Sequence, residues 1–338
     1  MKKVIITLLL IAPLISFSQS ITDSLLLYYK MDANALDETP NNFHATSSGV
    51  VAVPDRFGNP NSAFNFPGIS VNSTFEFPKD SLLKPEFPIT VSFWTMIPDV
   101  SSGIKVFFNT DYVQNNYHGI WMAVDAAGFV RIGFGGGDAS LGCVSSNRIS
   151  YTAYEFPITD STWHHIVGVV RSATDMDIFI DCNNAGAQFS TGTGPTSMAY
   201  SGYGSCCGGG IIGETDGNNN APPFFFEGNM DDFAYWNRDL TSTEINSLCN
   251  SSPIVFPPIS SWNCVNGDCI DPLDGTGTYT DSTACVTSCV STGIDEINSN
   301  KKLIKITDIL GRNVKRKKNE FLFYIYEDGT VEKKIIIN

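Results

Sequence analysis

Acidic and amide side chains gather at two points of this chain in patterns that could hold a metal. Asp37, Thr39, Asn41 and Asn42 make a D-x-[ST]-x-N segment in an early loop, and Asp231 and Asp232 stand side by side ahead of the last strand of the body. A hard cation such as Ca2+ takes about six to eight oxygens from carboxylates, amides and backbone carbonyls. Asp37, a carbonyl near Asn42 and Asp231 or Asp232 are therefore candidate ligands of one structural Ca2+; the alternative makes Asp37 a turn former and Asp231 a hydrogen-bond acceptor. A second set, Tyr112, Asn116 and Tyr117 in one loop with Tyr203, Asp216 and Asn218 in others, joins rings that stack on a sugar to amides and a carboxylate that bind its hydroxyls. Ordinary exposed loops have the same composition. Four cysteines, Cys264, Cys269, Cys285 and Cys289, follow C-x4-C-x15-C-x3-C, which reads as two disulfides or as a four-thiolate zinc site.

Catalytic patterns are missing. Glycan cleavage needs two carboxylates roughly 5 to 9 Å apart, written on a strand as alternating acids, and the nearest approach is Asp175-Met176-Asp177 with Asp181. His164 and His165 are adjacent, and adjacent strand residues face opposite ways, so they are not expected to share an ion. The glycines at 135–137 and 208–210 lack the following helix of a phosphate loop. The expectation is a protein that binds and is not an enzyme.

What must position these residues is mostly strand. Between residues 24 and 250, short apolar or alternating runs such as ITVSFWTM and WHHIVGVV are separated by Gly, Pro, Asn and Asp, the pattern of an all-β sandwich. Ile89, Val91 and Phe93 alternate with Thr90, Ser92 and Trp94, as one buried face requires. GIWMAV and FVRIGF flank Asp125-Ala126-Ala127-Gly128, a hairpin. One helix is expected over 242–248, with Thr241 and Glu244 spaced as a capping box. Pro253, Pro257 and Pro258 mark a linker. The runs LIKITDIL, FLFYIY and TVEKKIII, the last two joined by Glu327-Asp328-Gly329, predict a small terminal β unit.

The net charge of −14 is unevenly spread: residues 291–338 hold 10 basic and 7 acidic residues, the stretch between residue 20 and that tail 9 basic and 28 acidic. A body this acidic repels phosphate backbones and anionic membrane surfaces, which argues against nucleic acid as a partner. Residues 1–18 read as a secretory signal, with Lys2 and Lys3, an apolar run from Val4 to Phe17 and small residues at Ser16 and Ser18. That run is too short for a membrane span, and no other stretch approaches about 20 apolar residues. In an exported chain nine cysteines favour disulfides. Pairing among Cys143, Cys182, Cys206, Cys207 and Cys249 stays open, and their odd number leaves at least one unpaired or bridged outside the group.

Two resemblances rest on these runs. Leu310-Gly311-Arg312, the FYIYEDGT of 323–330 and the KKIII of 333–337 closely resemble the type A C-terminal sorting domain of the type IX secretion system of Bacteroidetes. That implies transport across the outer membrane, removal of the tail, and release or attachment at the cell surface. The order LLLYYKMDANALDETPNNFHAT, ITVSFWTM, Trp163-His164-His165, IFIDCNNAG and FFFEGNMDDFAYWNRDLTSTEINSL resembles the laminin-G-like, concanavalin A-like lectin and glucanase superfamily. It implies a jelly roll of two antiparallel sheets, often with one calcium, used as a carbohydrate- or protein-binding module. In that family the first and last long strands are neighbours, which would bring the Asp37 loop to Asp231. The counterparts of Asp175–Asp181 form a structural hairpin there, and Trp163-His164-His165 pack a strand.

The expected organisation is a signal at 1–18, a jelly roll at 21–250, a linker at 251–260, a Cys-rich segment at 261–290 and a sorting tail at 291–338. The expected function is a secreted or surface module for a glycan or an extracellular protein, exported by the type IX machinery. The alternatives are a glycan-cleaving hydrolase of the same fold and a structural adhesin or matrix protein.

Overall fold

The computed structural model describes residues 20–110, 118–137, 145–159, 161–200, 209–214, 224–250, 253–256, 260–265, 267–272, 276–289 and 302–335. It divides into two compact units, one ending at Phe256 and one beginning at Pro257. The strands of the first unit are β1 (Leu25–Tyr29), β2 (Thr46–Ser48), β3 (Val51–Val53), β4 (Ala63–Pro67), β5 (Thr74–Phe77), β6 (Ile89–Met96), β7 (Lys105–Asn109) and β8 (Ile120–Val124). They continue as β9 (Val130–Gly135), β10 (Arg148–Thr152), β11 (His164–Ser172), β12 (Asp175–Ile180), β13 (Asn183–Asn184), β14 (Gln188–Thr191), β15 (Gly210–Ile212) and β16 (Glu227–Trp236). Two antiparallel sheets result, the first ordered β13-β12-β11-β6-β16-β4-β3 with β1 also on β16, the second β14-β10-β9-β8-β7-β15-β5-β2. This is the expected all-β jelly-roll sandwich. The first and last long strands, β1 and β16, pair directly, and β8 and β9 form the hairpin over Asp125–Gly128.

The alternation in β6 sorts its side chains as the period of two demands. Ile89, Val91 and Phe93 enter the core between the sheets, while Thr90, Ser92 and Trp94 face outward. Phenylalanines dominate that core. Phe233 alone lies 5.2 to 6.4 Å, centroid to centroid, from the rings of Tyr29, Phe77, Phe93 and Phe108; burying such a side chain stabilises by about 1.5–3 kcal/mol. Gly168 of β11 lets the sheets meet closely, since a Cβ there would lie 2.6 Å from Ile132 Cδ1 and 2.8 Å from Met122 Sδ.

The outward face of the first sheet is also apolar: Tyr28, Val167, Val169, Ala234 and Trp236 are buried there. The chain covers it with helix α1 (Ser242–Asn250), through Ile245, and with Leu240 and Ile254. The capping box is formed, with Thr241 N donating to Glu244 Oε2 at 2.8 Å and Glu244 N donating to Thr241 Oγ1 at 3.3 Å. Arg238 adds a pair to Glu244 at 2.6 Å and donates to the carbonyls of Ser20 and Asp23. A disulfide between Cys182 and Cys249, 67 residues apart, fastens the end of α1 to the turn after β12. Ile254 N donates to Tyr28 Oη at 3.2 Å, and the Phe256 ring lies 6.2 Å from that of Tyr28. Ile254 and Phe256, expected in the linker, thus belong to the cover, because their side chains have a sheet face to bury against, while Val255 between them is exposed.

In the second unit, β17 (Asn263–Val265) and β18 (Asp268–Ile270) form a hairpin beside a second helix, α2 (Ser282–Cys289). The sequence reading missed α2, whose residues STACVTSC are poor helix formers. Asp281 caps it by accepting from Thr283 N and Ala284 N at 2.7 and 2.9 Å, and disulfides Cys264–Cys289 and Cys269–Cys285 tie it to the hairpin. The four sulfurs are therefore used as two bridges, not as a zinc site. The terminal runs form a three-stranded sheet of β19 (Leu303–Thr307), β20 (Phe321–Tyr326) and β21 (Val331–Ile335), with Leu322, Tyr324 and Tyr326 on its buried face. The turn between β20 and β21 places Gly329 at φ 83°, where glycine is unstrained.

Replacing both Cys182 and Cys249 by Ser should cost about 2–4 kcal/mol, read as a fall in Tm of roughly 5–15 °C. An unchanged Tm would show that the cover does not depend on this bridge.

Candidate functional site

The proposed metal ligands are split between two places. Asp37 is buried in its loop: Oδ1 accepts from Tyr28 N and Thr39 N at 2.9 and 3.0 Å, and Oδ2 accepts from Thr39 Oγ1 and Phe43 N at 2.7 and 2.8 Å. Asn42 turns the loop at φ 56° and donates to Pro40 O at 2.8 Å. Asp231 and Asp232 hold a different cation, the guanidinium of Arg56, at 2.7 and 2.8 Å. Among the described residues, no carboxylate trio brings its oxygens within 4.8 Å. The set of Asp37, Asn42, Asp231 and Asp232 does not fit one Ca2+, which needs several free oxygens converging on one point.

The Arg56 cluster shows how neighbouring acids reach one partner. A bulge in β16 shifts its register against β6 between Asp231 and Ala234, with Asp232 at φ 51°. The extra residue lets both carboxylates leave the sheet on its outer side. Arg56, carried by the loop between β3 and β4, lies 4.5 Å from the centroids of the Phe57 and Trp94 rings, a cation–π arrangement. Tyr28 Oη donates to Asp232 Oδ1. The guanidinium and both carboxylates are at most 10% exposed, and burial followed by the charge of Asp232 pushes Asp231 up to about 8 despite Arg56. Beside the cluster, His165 hydrogen-bonds through Nε2 to Ser92 Oγ at 2.8 Å, and burial, then Arg56, holds it down at about 3. His164 instead meets Asp181 at 2.7 Å, so the two histidines do part ways. The adjoining void of about 10 Å³ is water-sized; the cluster is structural.

The outward face of the second sheet carries a larger concavity, a cleft of about 220 Å³. Strand register sets Asn109, Trp121, Gly133, Ser150 and Thr191 side by side across β7, β8, β9, β10 and β14, with Ala123, Arg131 and Thr152 in the neighbouring row. Trp121 lies over Gly133, where a Cβ would come within 2.4 Å of the indole Cζ2. Gly133 therefore lets the indole lie down across the sheet. Around it the cleft is lined by Asn109, Asp125, Arg131, Arg148, Thr191 and Phe224. Asn109 Nδ2 donates to Glu214 O at 2.8 Å. Asp125 is a turn former whose Oδ1 accepts from Ala127 N and Phe129 N at 3.0 and 3.1 Å, while its Oδ2 stands 3.4 Å from Arg131 Nη2.

None of these lining residues was a candidate from sequence. Trp121 and Arg131 sit in runs correctly read as strands, and their outward phase in the alternation was the available signal. The candidates Tyr112, Asn116, Tyr117, Tyr203, Asp216 and Asn218 lie outside the described residues.

The model of a laminin G domain family, described as the concanavalin A-like lectin/glucanases superfamily, matches residues 70–246. No curated protein matches the sequence. Solved structures with a similar course of chain include domain 4 of AbnA, a GH43 extracellular arabinanase from Geobacillus stearothermophilus, in complex with arabinotriose (17% identity, 67% of this chain, 98% of that one, TM-score 0.47). Another is the binding domain of Paraclostridial Mosquitocidal Protein 1 (15% identity, 91% and 76% covered, TM-score 0.49). A third is a heptameric SAP-like pentraxin from Limulus polyphemus (14% identity, 56% and 82% covered, TM-score 0.40).

The buried cluster predicts a two-sided pH profile. Asp231, raised on folding, contributes stability that is full below about pH 4 and lost as pH rises through about 8. His165, lowered on folding, contributes stability that is full above about 6.5 and lost as pH falls toward 3. Thermal melts of Asp231→Asn should show a flatter alkaline limb, and those of His165→Gln a flatter limb between pH 6.5 and 4.5. Melts that keep both limbs in these variants would assign the profile to other groups.

Proposed function

The chain belongs to the concanavalin A-like lectin/glucanases superfamily, and from that premise we propose that it is an exported protein that binds a saccharide in the cleft of the second sheet. The observation that carries this reading is the Trp121 indole laid over Gly133 inside a concave, polar-rimmed face. An aromatic plane beside amide, hydroxyl and guanidinium groups suits a sugar ring, whose C–H face stacks while its hydroxyls bond at the edge. The volume is below the roughly 300–1,000 Å³ of enclosing ligand pockets, so one sugar unit would sit in the cleft and the rest of a chain outside it.

Binding is favoured over cleavage by the acids. Among the described residues that line the cleft, Asp125 is the one carboxylate, and it is engaged in its own turn and with Arg131; hydrolysis calls for a pair. Export through the type IX system is part of this proposal. It is supported by the sorting motifs of the tail, of which residues 323–326 lie on β20 and 333–335 on β21, and by disulfides that suit an oxidising compartment. Among the described residues no helix is long and apolar enough to cross a membrane.

On a panel of immobilised polysaccharides the full chain should be retained without releasing reducing ends, and Trp121→Ala should weaken retention at least tenfold, about 1.4 kcal/mol. Release of reducing ends would favour the hydrolase, and self-association with no retention the matrix protein. In a bacterium carrying the type IX machinery, deletion of residues 302–338 should leave the protein in the periplasm. Equal amounts of both forms outside the cell would remove the tail from the export route.

A further inference from the structure

We infer that the saccharide taken by this cleft is acidic, bearing a carboxylate or a sulfate ester, and that Arg131 is the residue that selects for it. The inference rests on the binding reading above and adds the ligand's charge class to it.

Arg131 stands on β9 one row from Trp121, its neighbours Ala123 and Thr152 being short enough to leave the guanidinium accessible from the cleft. Its side chain is 30% exposed, and its ion pair is loose: Nη2 to Asp125 Oδ2 is 3.4 Å, against about 2.7–2.9 Å for a well-formed charge-assisted bond. Asp125 cannot close that gap without giving up its turn, because the same carboxylate accepts from Ala127 N and Phe129 N. Arg131 Nε is buried and has no hydrogen-bond acceptor, so the pairing of this guanidinium within the protein is incomplete. The guanidinium offers its donors as a fork that matches two oxygens of one carboxylate or sulfate. The contrast with the rest of the chain is informative. At a net charge of −14 the body as a whole repels polyanions, so an acidic glycan would be held by a local arrangement and not by bulk attraction.

The test uses the full chain with three classes of immobilised probe: polygalacturonate, dextran sulfate, and neutral glucans, galactans and mannans. At least one acidic probe should bind more than tenfold tighter than the neutral ones, with affinity falling as NaCl is raised. Polygalacturonate alone would assign a carboxylate, dextran sulfate alone a sulfate ester, and both a site that reads charge. Arg131→Gln should lose at least tenfold toward the acidic probe and Arg131→Lys should recover part of it, with the Tm of each variant confirming its fold. Because only Arg131 changes, that loss separates the cleft from the basic run at 315–318. Acidic binding unaffected by Arg131→Gln overturns the inference. Retention of a neutral probe alone, lost in Trp121→Ala, overturns it while leaving the binding reading intact, and no retention of any probe overturns both.

Discussion

A sandwich sheet has two faces, and the core can bury only one of them. In the first sheet the outward face is as apolar as the inward one, carrying Trp236, Tyr28, Val167 and Val169. Left open, so large an apolar patch would be an aggregation liability. Helix α1, the Cys182–Cys249 bridge, Ile254 and Phe256 exist, in physical terms, to close it. The second sheet turns out smaller and more polar residues, Ala123, Gly133, Ser150 and Thr152 between the larger Trp121 and Arg131. The cleft of about 220 Å³ lies on this second face, and on the proposed reading that is where a ligand lies.

Strand β16 carries the other half of this arrangement. It pairs with β6 along one edge and with both β4 and β1 along the other, so a disturbance in it reaches three other strands. Yet it contains the bulge at Asp231–Ala234 and a left-handed residue at Asp232. What compensates is Arg56, which neutralises part of two buried carboxylates and lies between two aromatic rings. One guanidinium against two acids leaves a charge too many in a water-poor place, which is why burial raises Asp231 and keeps a proton near it. Of the residues that looked like a calcium site, Asp231 and Asp232 are held by a side-chain cation supplied by the protein itself, and Asp37 by N–H and hydroxyl donors of its own loop and of Tyr28.

Much of the fold was legible in the sequence because it is written in periods. The alternation of Ile89, Val91 and Phe93 with Thr90, Ser92 and Trp94, the Asp125–Gly128 hairpin and the Thr241–Glu244 cap are local patterns with local causes, and each stands in the structure. Helix α2 was not legible, since its stability comes from two disulfides rather than from its residues. The Arg56 cluster was half legible: Asp231 and Asp232 drew notice as acids, but their partner lies 175 residues away, and only the folded pairing of β3, β4 and β16 brings it near. The cleft was hidden for a related reason. The outward phase of Trp121 can be read from the alternation in its strand, but that it meets Asn109 and Gly133 depends on register across β7, β8 and β9.

On the proposed reading, the cleft presents its ligand with side chains carried by paired strands. The backbones that carry Asn109, Trp121 and Arg131 are paired on both sides, so little backbone freedom would be lost on binding. Gly133 supplies the depth and Trp121 the plane. Asp125, committed to its hairpin turn, keeps Arg131 within reach of a partner without satisfying it. On the proposed reading, a guanidinium held in place with a loose partner discriminates by charge, because a carboxylate or sulfate makes a stronger, forked, charge-assisted pair with it than a neutral hydroxyl does.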